Sequence, residues 1–259
     1  MPHEGCDAIS KNDKNSIPKT LRRTDFVPLR FFLDKGIIPK NVKLCFISAQ
    51  KFVEIKNIIR VDYKFCRLMG YYAAEGGCGR RVTLSFGVDD IKKGIVEECK
   101  KYVKLVFDIT PQKEILKVNK KTNKLNSVNI SFGGNLLGLI FDKVFKAGAS
   151  VWEKQVPFII FNLPTDKQLE YLKSYLRGDG HARVRMPVKR RNWSAEVSCQ
   201  TASRKLAADV ILLSNQIGLF PSLSIHISKG RELYGQKIRK SRTYKITFSS
   251  KNDLTILSD

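Results

Sequence analysis

The chain repeats itself, and the repeat limits its fold more than any other feature. Residues 65–77 (FCRLMGYYAAEGG) read as a short apolar helix ending in an acid and glycines, and residues 169–181 (LEYLKSYLRGDGH) do the same. With Glu75 aligned on Asp179, the segments that follow correspond. Val82-Thr83-Leu84-Ser85-Phe86 and Val197-Ser198-Cys199-Gln200 alternate apolar and polar side chains, which predicts strands with one buried and one open face. Helical periodicity comes next in both copies, over 89–107 and 203–220, with Asp89 and Ser203 as expected N-caps. Each copy then has two alternating runs joined by a basic, Gly/Asn-rich turn, over 114–132 and 222–248. The last strands match well, Val128-Asn129-Ile130-Ser131-Phe132 against Tyr244-Lys245-Ile246-Thr247-Phe248. A helix over 135–145 closes the first copy, and only 251–259 remains to close the second.

Each copy therefore predicts an α-β-β-α-β-β-α order. The expected fold class is α+β, built from two pseudo-symmetric halves with antiparallel sheets. The halves span 61–162 and 163–259. Before them, residues 1–16 are polar and expected to be disordered. Residues 17–60, interrupted by Pro28, Gly36 and Pro39, suggest a small, mainly helical region, either a DNA-binding element of helix-turn-helix scale or a segment packed on the first half.

The two repeat-opening helices carry small residues four apart, Gly70 and Ala74 in one, Ser174 and Gly178 in the other. That spacing puts both small residues on one helix face. Two such faces can approach more closely than the ~8–10 Å of ordinary helix packing, while Leu68, Tyr71, Tyr72, Leu172, Tyr175 and Leu176 fill the flanking core. Helices paired in this way bring Glu75 and Asp179 together. Two adjacent carboxylates repel unless one keeps its proton or a hard cation intervenes. The helix C-terminal carbonyls, here of Ala74 and Gly178, add partial negative charge that favours a cation. Metal-assisted phosphodiester hydrolysis is the reaction class this arrangement suits. A single acid before a glycine is ordinarily just a helix cap. Its symmetric occurrence in both copies, with the same small-residue spacing, is what sets it apart from a cap.

Charge points the same way. With 47 Lys+Arg against 24 Asp+Glu, the net charge of +23 favours polyanionic partners, nucleic acid ahead of anionic lipid surfaces. No run approaches the ~18 apolar residues of a membrane span, and the N-terminus lacks the apolar core of a signal sequence. A cytoplasmic (nucleoid) or organellar location is expected, without secretion. The six cysteines form no CxxC pair and the three histidines are scattered, so reduced thiols and no structural zinc are expected.

The segments LMGYYAAEG (68–76) and LKSYLRGDG (172–180) resemble the two signature motifs of the LAGLIDADG, or dodecapeptide, homing endonucleases. The resemblance covers about residues 60–259. It implies a monomeric, site-specific double-strand endodeoxyribonuclease whose motif helices form the interface between halves. It further implies that Glu75 and Asp179 bind Mg²⁺, with Mn²⁺ as a substitute, and that saddle-shaped sheets lie on double-stranded DNA. Family members also use a lysine before an extended I/V-P segment, which implies a catalytic role for Lys154 in Lys154-Gln155-Val156-Pro157. The second half has no such segment, leaving Lys251 or Lys245 as substitutes. Glu75 stands where the motif usually has aspartate, and either carboxylate ligates Mg²⁺. Two other roles belong to the same resemblance, an intron RNA-splicing maturase and a DNA-binding regulator without catalysis. Acids at both motif ends argue against the regulator. The ends of the sequence, Met1-Pro2 and Leu257-Ser258-Asp259, do not resemble those of a whole intein, so an intron-encoded or free-standing enzyme, or an isolated intein endonuclease domain, is expected.

Alternation assigns Thr83, Ser85, Asn129, Ser131, Ser198, Gln200, Lys245 and Thr247 to the open, DNA-facing sides of the sheets, where side chains of this kind read base edges. Arg80 and Arg81 in the first half, and Arg183, Arg185, Lys189, Arg190 and Arg191 in the second, form basic turns and hairpins. Lys237, Arg239, Lys240 and Arg242 form another cluster. Most such contacts go to phosphates. DNA affinity is therefore expected to fall by on the order of 10³-fold or more between 50 and 200 mM salt. A flat salt profile in a fluorescence-anisotropy titration would remove these clusters from the interface.

Overall fold

The computed structural model describes residues 33–34, 36, 42–111, 113–118, 125–186, 194–228, 231–233, 236–238 and 241–258, except 49 and 50. The chain divides into two compact units, residues 1–59 and 60–259.

The described strands of the first unit form an antiparallel hairpin, β1 (Lys43–Ser48) and β2 (Lys51–Lys56), registered from Lys43 opposite Lys56 to Ser48 opposite Lys51. This corrects the helical expectation for that stretch. Both strands are rich in β-branched and aromatic residues, which favour extended backbone. The expectations for residues 1–32 lie outside the described residues.

The second unit follows the repeat. Its first half runs α1 (Tyr63–Glu75), β3 (Gly76–Cys78), β4 (Val82–Gly87), α2 (Val88–Lys92), α3 (Ile95–Phe107), β5 (Lys113–Val118), β6 (Leu125–Phe132) and α4 (Gly134–Leu139), which continues as a π-helical turn over Ile140–Val144. A short α5 (Phe158–Phe161) leads into the second half. That half comprises α6 (Thr165–Asp179), β7 (Gly180–Arg185), β8 (Ser194–Thr201), α7 (Arg204–Gln216), β9 (Ser222–Ser228), a small ribbon of β10 (Arg231–Leu233) and β11 (Gln236–Ile238), β12 (Ser241–Phe248) and α8 (Lys251–Ser258). The two four-stranded sheets have equivalent antiparallel orders, β3-β4-β6-β5 and β7-β8-β12-β9. The fold is α+β with two pseudo-symmetric halves.

One expected helix is divided. Residues 89–107 break at Lys93-Gly94, where Gly94 has φ +75°, a left-handed conformation suited to glycine. Asp89 is consequently not an N-cap. Asp90 instead accepts from the Gly87 N–H at 3.0 Å, ahead of α2. Ser203 does cap α7, accepting from the Leu206 N–H at 3.1 Å. At the start of α1, Asp62 accepts from the Lys64 and Phe65 N–H groups, a type of cap that contributes about 1 kcal/mol.

The centre of the unit is the α1–α6 pair. A methyl group on Gly70 would lie 2.9 Å from the Ser174 Cβ and would collide with the Tyr171 carbonyl, and one on Gly178 would lie 2.6 Å from the Ala74 Cβ. The four small residues therefore meet in two contacts, Gly70 on Ser174 and Ala74 on Gly178. Beside them Leu68, Tyr71, Tyr72, Leu172 and Tyr175 are almost fully buried. Polar contacts fasten the pair elsewhere. Arg67 is paired with Glu170, and Tyr63 donates to Asp166. Glu98 on α3 accepts from the hydroxyls of Tyr71 (2.8 Å) and Tyr102 (2.6 Å) and pairs with Arg177 on α6 (3.2 Å). Burial alone would raise the Glu98 pKa, but these hydrogen bonds and the arginine charges overcome it and hold the carboxyl below its ordinary range.

Overpacking of this kind costs about 1–3 kcal/mol. Gly70→Ala is therefore expected to lower the urea midpoint by a corresponding amount, because the added methyl meets backbone that cannot rotate away. An unchanged midpoint would mean that the helices do not touch there.

Candidate active site at the paired helix ends

Helix pairing sets the position of the acids. Each is the last residue of its helix, and in each the following glycine is extended and returns its N–H to the helix, Gly76 to the Tyr72 carbonyl and Gly180 to the Leu176 carbonyl. Glu75 and Asp179 thus stand where a helix turns directly into the first strand of a sheet. A Cβ on Gly178 would be 3.6 Å from the Glu75 Cγ and 3.9 Å from its Oε1, so the Glu75 side chain lies over the last turn of the opposite helix.

Lys154 joins them from the linker between the halves. It is buried, with 5% of its surface exposed, and donates to the carbonyls of Ala73 (2.8 Å) and Ala74 (2.9 Å) in the last turn of α1. Those carbonyls lack helical donors, and a helix C-terminus favours a cation. The Ala74 carbonyl, expected to face a metal ion, faces an ammonium instead. On its other side the linker is held by Tyr72, whose hydroxyl donates to the Gly148 carbonyl at 2.6 Å. Gly148 is left-handed (φ +83°), and its Cα packs so closely on the backbone of Glu153 and Lys154 that a Cβ would lie 2.6 Å from the Lys154 Cα.

The electrostatics show how tightly the three groups are placed. Burial, then the charges of Asp90 and Asp179, pushes the half-buried Glu75 up to about 7, with Lys154 opposing. Loss of hydration raises Asp179 too, again opposed by Lys154. Asp179 is the more exposed of the two acids and ionises before Glu75. Its charge then helps Glu75 keep a proton. Lys154 is lowered by burial to about 8 although both carboxylates favour its charged form. Among the described residues no cluster of three or more His, Cys, Asp or Glu side chains is positioned for a metal ion. A cation here would rest on two carboxylates and other oxygens.

The other expected residues divide. In the first sheet Thr83 stands opposite Ser131, with their hydroxyls 3.0 Å apart, and Ser85 stands opposite Asn129. In the second, His181, Ser198 and Thr247 form one cross-strand row, and Gln200 and Lys245 another. Ser131 and Ser198 belong to these polar rows but are buried, whereas Ser85 and Gln200 are exposed. Arg80, Arg81, Arg183 and Arg185 are exposed. Glu196 sits 3.7 Å from both Arg185 and Lys245, which ties part of the basic face down. Arg242 is exposed near the start of β12 and shares strand parity with the buried Tyr244, Ile246 and Phe248, on the face opposite Lys245. Lys251 is exposed at the start of α8, in a cleft of about 530 Å³ with Ser194, Glu196 and Thr255. The cation whose charge acts on both acids is Lys154. Lys189, Arg190, Arg191, Arg239 and Lys240 lie outside the described residues, as does the Lys237 side chain. Asp90 and Tyr72 were missed as site residues. Asp90 is brought to Glu75 only by the fold, and Tyr72 reads from sequence as core.

No family model matches the chain. Among curated proteins it is similar to an uncharacterized protein of Methanocaldococcus jannaschii, 27% identical over 214 residues that cover 79% of this chain and 22% of the relative. It is similar also to the DNA polymerase II large subunit of Thermococcus kodakarensis, 28% identical over 179 residues, 64% of this chain and 9% of the relative. The chain thus spans less than a quarter of the length of these relatives. Among solved structures it is similar to the homing endonuclease I-DmoI in complex with DNA and Mn, with TM-score 0.46, 16% identity, 77% of this chain and 99% of that one. The N-terminal LAGLIDADG domain of DUF199/WhiA gives TM-score 0.44 and 12% identity, covering 78% and 85% of the two chains.

The raised carboxylates have a consequence for stability without divalent ions. A group whose folded pKa lies above its unfolded value stabilises fully below the unfolded value and loses that contribution as pH rises through the folded one. For Glu75 the window runs from 4.5 to about 7. Thermal stability is expected to fall across that window in the wild type and to fall less in Glu75→Gln. Identical pH profiles would show that Glu75 is not desolvated.

Proposed function

We propose that this chain is a LAGLIDADG-type, divalent-metal-dependent endonuclease that cuts both strands of a specific DNA site. The observation that carries the reading is the meeting of Glu75 and Asp179 at the ends of two helices packed through Gly70, Ser174, Ala74 and Gly178. A pure binding protein gains nothing by holding two acids beside a phosphate backbone.

The donor set fits a hard cation. Glu75 and Asp179 would hold Mg²⁺ or Mn²⁺, with the Gly178 carbonyl as a further oxygen. Such ions accept carboxylate, carbonyl and water oxygens, and one would offset the burial and the neighbouring acid charges that raise Glu75. A divalent ion held there would supply Lewis-acid chemistry, activating a water and polarising the phosphate. The protein's part is positional. Helix packing fixes the two acids, Lys154 neutralises the end of α1, and the open rows Thr83–Ser85 and Gln200–Lys245 offer hydrogen-bonding side chains to base edges. Exposed Arg80, Arg81, Arg183 and Arg185 supply phosphate contacts.

A second reading rests on the asymmetry of the lysines. The α1 end has Lys154, whereas among the described residues no second lysine acts on Asp179. A binder of folded intron RNA, or a DNA-binding regulator, would tolerate that imbalance. Cleavage of a plasmid library with Mg²⁺ separates the readings. Site-specific double-strand cuts are expected from the wild type and a loss of at least about 10³-fold from Glu75→Gln and Asp179→Asn. Tight binding with no cut at any site would overturn the endonuclease and leave the binder.

A further inference from the structure

The lysine that serves the first half is held by the second. Lys154 bonds through its ammonium to the end of α1, yet its own carbonyl accepts from the Ser203 hydroxyl at 2.6 Å. Two residues on, the Val156 N–H donates to Asp209 Oδ2 at 3.2 Å. Ser203 and Asp209 are the cap and an interior residue of α7, and both are buried, at 0% and 3% exposure. Buried polar groups need partners, and each of these two has a second one. Ser203 also accepts the Leu206 N–H, and Asp209 also pairs with Lys205. The segment is thus pinned at Lys154 and at Val156 by one helix of the second half. On the first-half side it packs on Gly148, whose carbonyl accepts from Tyr72, and the Ala147 carbonyl accepts the Gln155 N–H at 3.3 Å.

We propose that Ser203 and Asp209 are positioning residues through which the second half fixes Lys154 against the two acids. The proposal deepens the endonuclease reading and rests on it for its catalytic consequence. It also accounts for the asymmetry between halves. The second half lends its helix to the first half's lysine, so the two strands of a DNA substrate are not served by independent sites. Neither residue touches the acids. Both act through Lys154, and a misplacement of about 1 Å at a catalytic group is enough to slow chemistry roughly 100-fold.

The test separates position from activity. Amine acetylation of the folded protein, read by peptide mass spectrometry, reports the opening of Lys154, with exposed Lys251 as the internal standard. Loss of one buried hydrogen bond shifts a local opening equilibrium by about ten-fold. Ser203→Ala and Asp209→Ala are expected to label Lys154 about that much faster. Ser203→Thr and Asp209→Asn, which keep a hydroxyl and an acceptor oxygen, should label at the wild-type rate. Asp62→Ala removes a helix cap without touching this segment, so it should lose stability and leave Lys154 protected. In single-turnover cleavage the two alanine variants should slow roughly 100-fold, with DNA affinity within about three-fold of wild type. Wild-type labelling rates in both alanine variants would overturn the proposal. Where an alanine variant does not fold, amide exchange in the wild type decides, since a Val156 amide exchanging as fast as a surface-loop amide contradicts the pinning. A wild type that cuts no DNA would remove the endonuclease reading but leave the labelling and exchange results to decide the positioning.

Discussion

Close approach of α1 and α6 is the constraint on which the rest depends. Gly70 against Ser174 and Ala74 against Gly178 remove the side-chain bulk that ordinarily separates two helices. Everything at the site inherits its position from that contact. Each acid ends a helix, each helix turns at a glycine into the first strand of its sheet, and the two sheets therefore begin on either side of the paired carboxylates. The buried tyrosines at 71, 72, 171 and 175 flank the contact and resist any sliding that would separate the acids.

The pairing creates an electrostatic problem that the fold answers only in part. Two acids lose hydration together, and the one that ionises second keeps its proton toward neutral pH. Lys154 reduces the repulsion but is itself desolvated and bound to helix carbonyls. A buried cation beside two desolvated acids is an arrangement completed by a further positive charge. That is the physical basis for reading it as a metal-dependent site rather than a structural ion cluster.

Much of this was legible in the sequence because it rests on local periodicity. Alternation at 82–86 and 128–132 placed the strands, and small residues four apart on two helices placed the acids. Features set by long-range packing were not legible. Nothing near Lys154 announces that Ala73 and Ala74 receive its ammonium, and nothing near Asp90 announces Glu75. One misreading was avoidable. The hairpin at 43–56 carries strand-forming residues that the nearby prolines and glycine obscured.

The central claim is that Glu75 and Asp179 form one site rather than two helix caps. A double-mutant cycle of urea stability tests it, using Glu75→Gln, Asp179→Asn and both together, at pH 8 with and without Mn²⁺. Residues in direct contact couple by about 0.5–3 kcal/mol. Without metal, neutralising either acid should relieve the repulsion, so that the second substitution adds little. With Mn²⁺, stabilisation by the ion should require both acids, and the coupling should change sign. Additive effects under both conditions would show that the two carboxylates do not share a site.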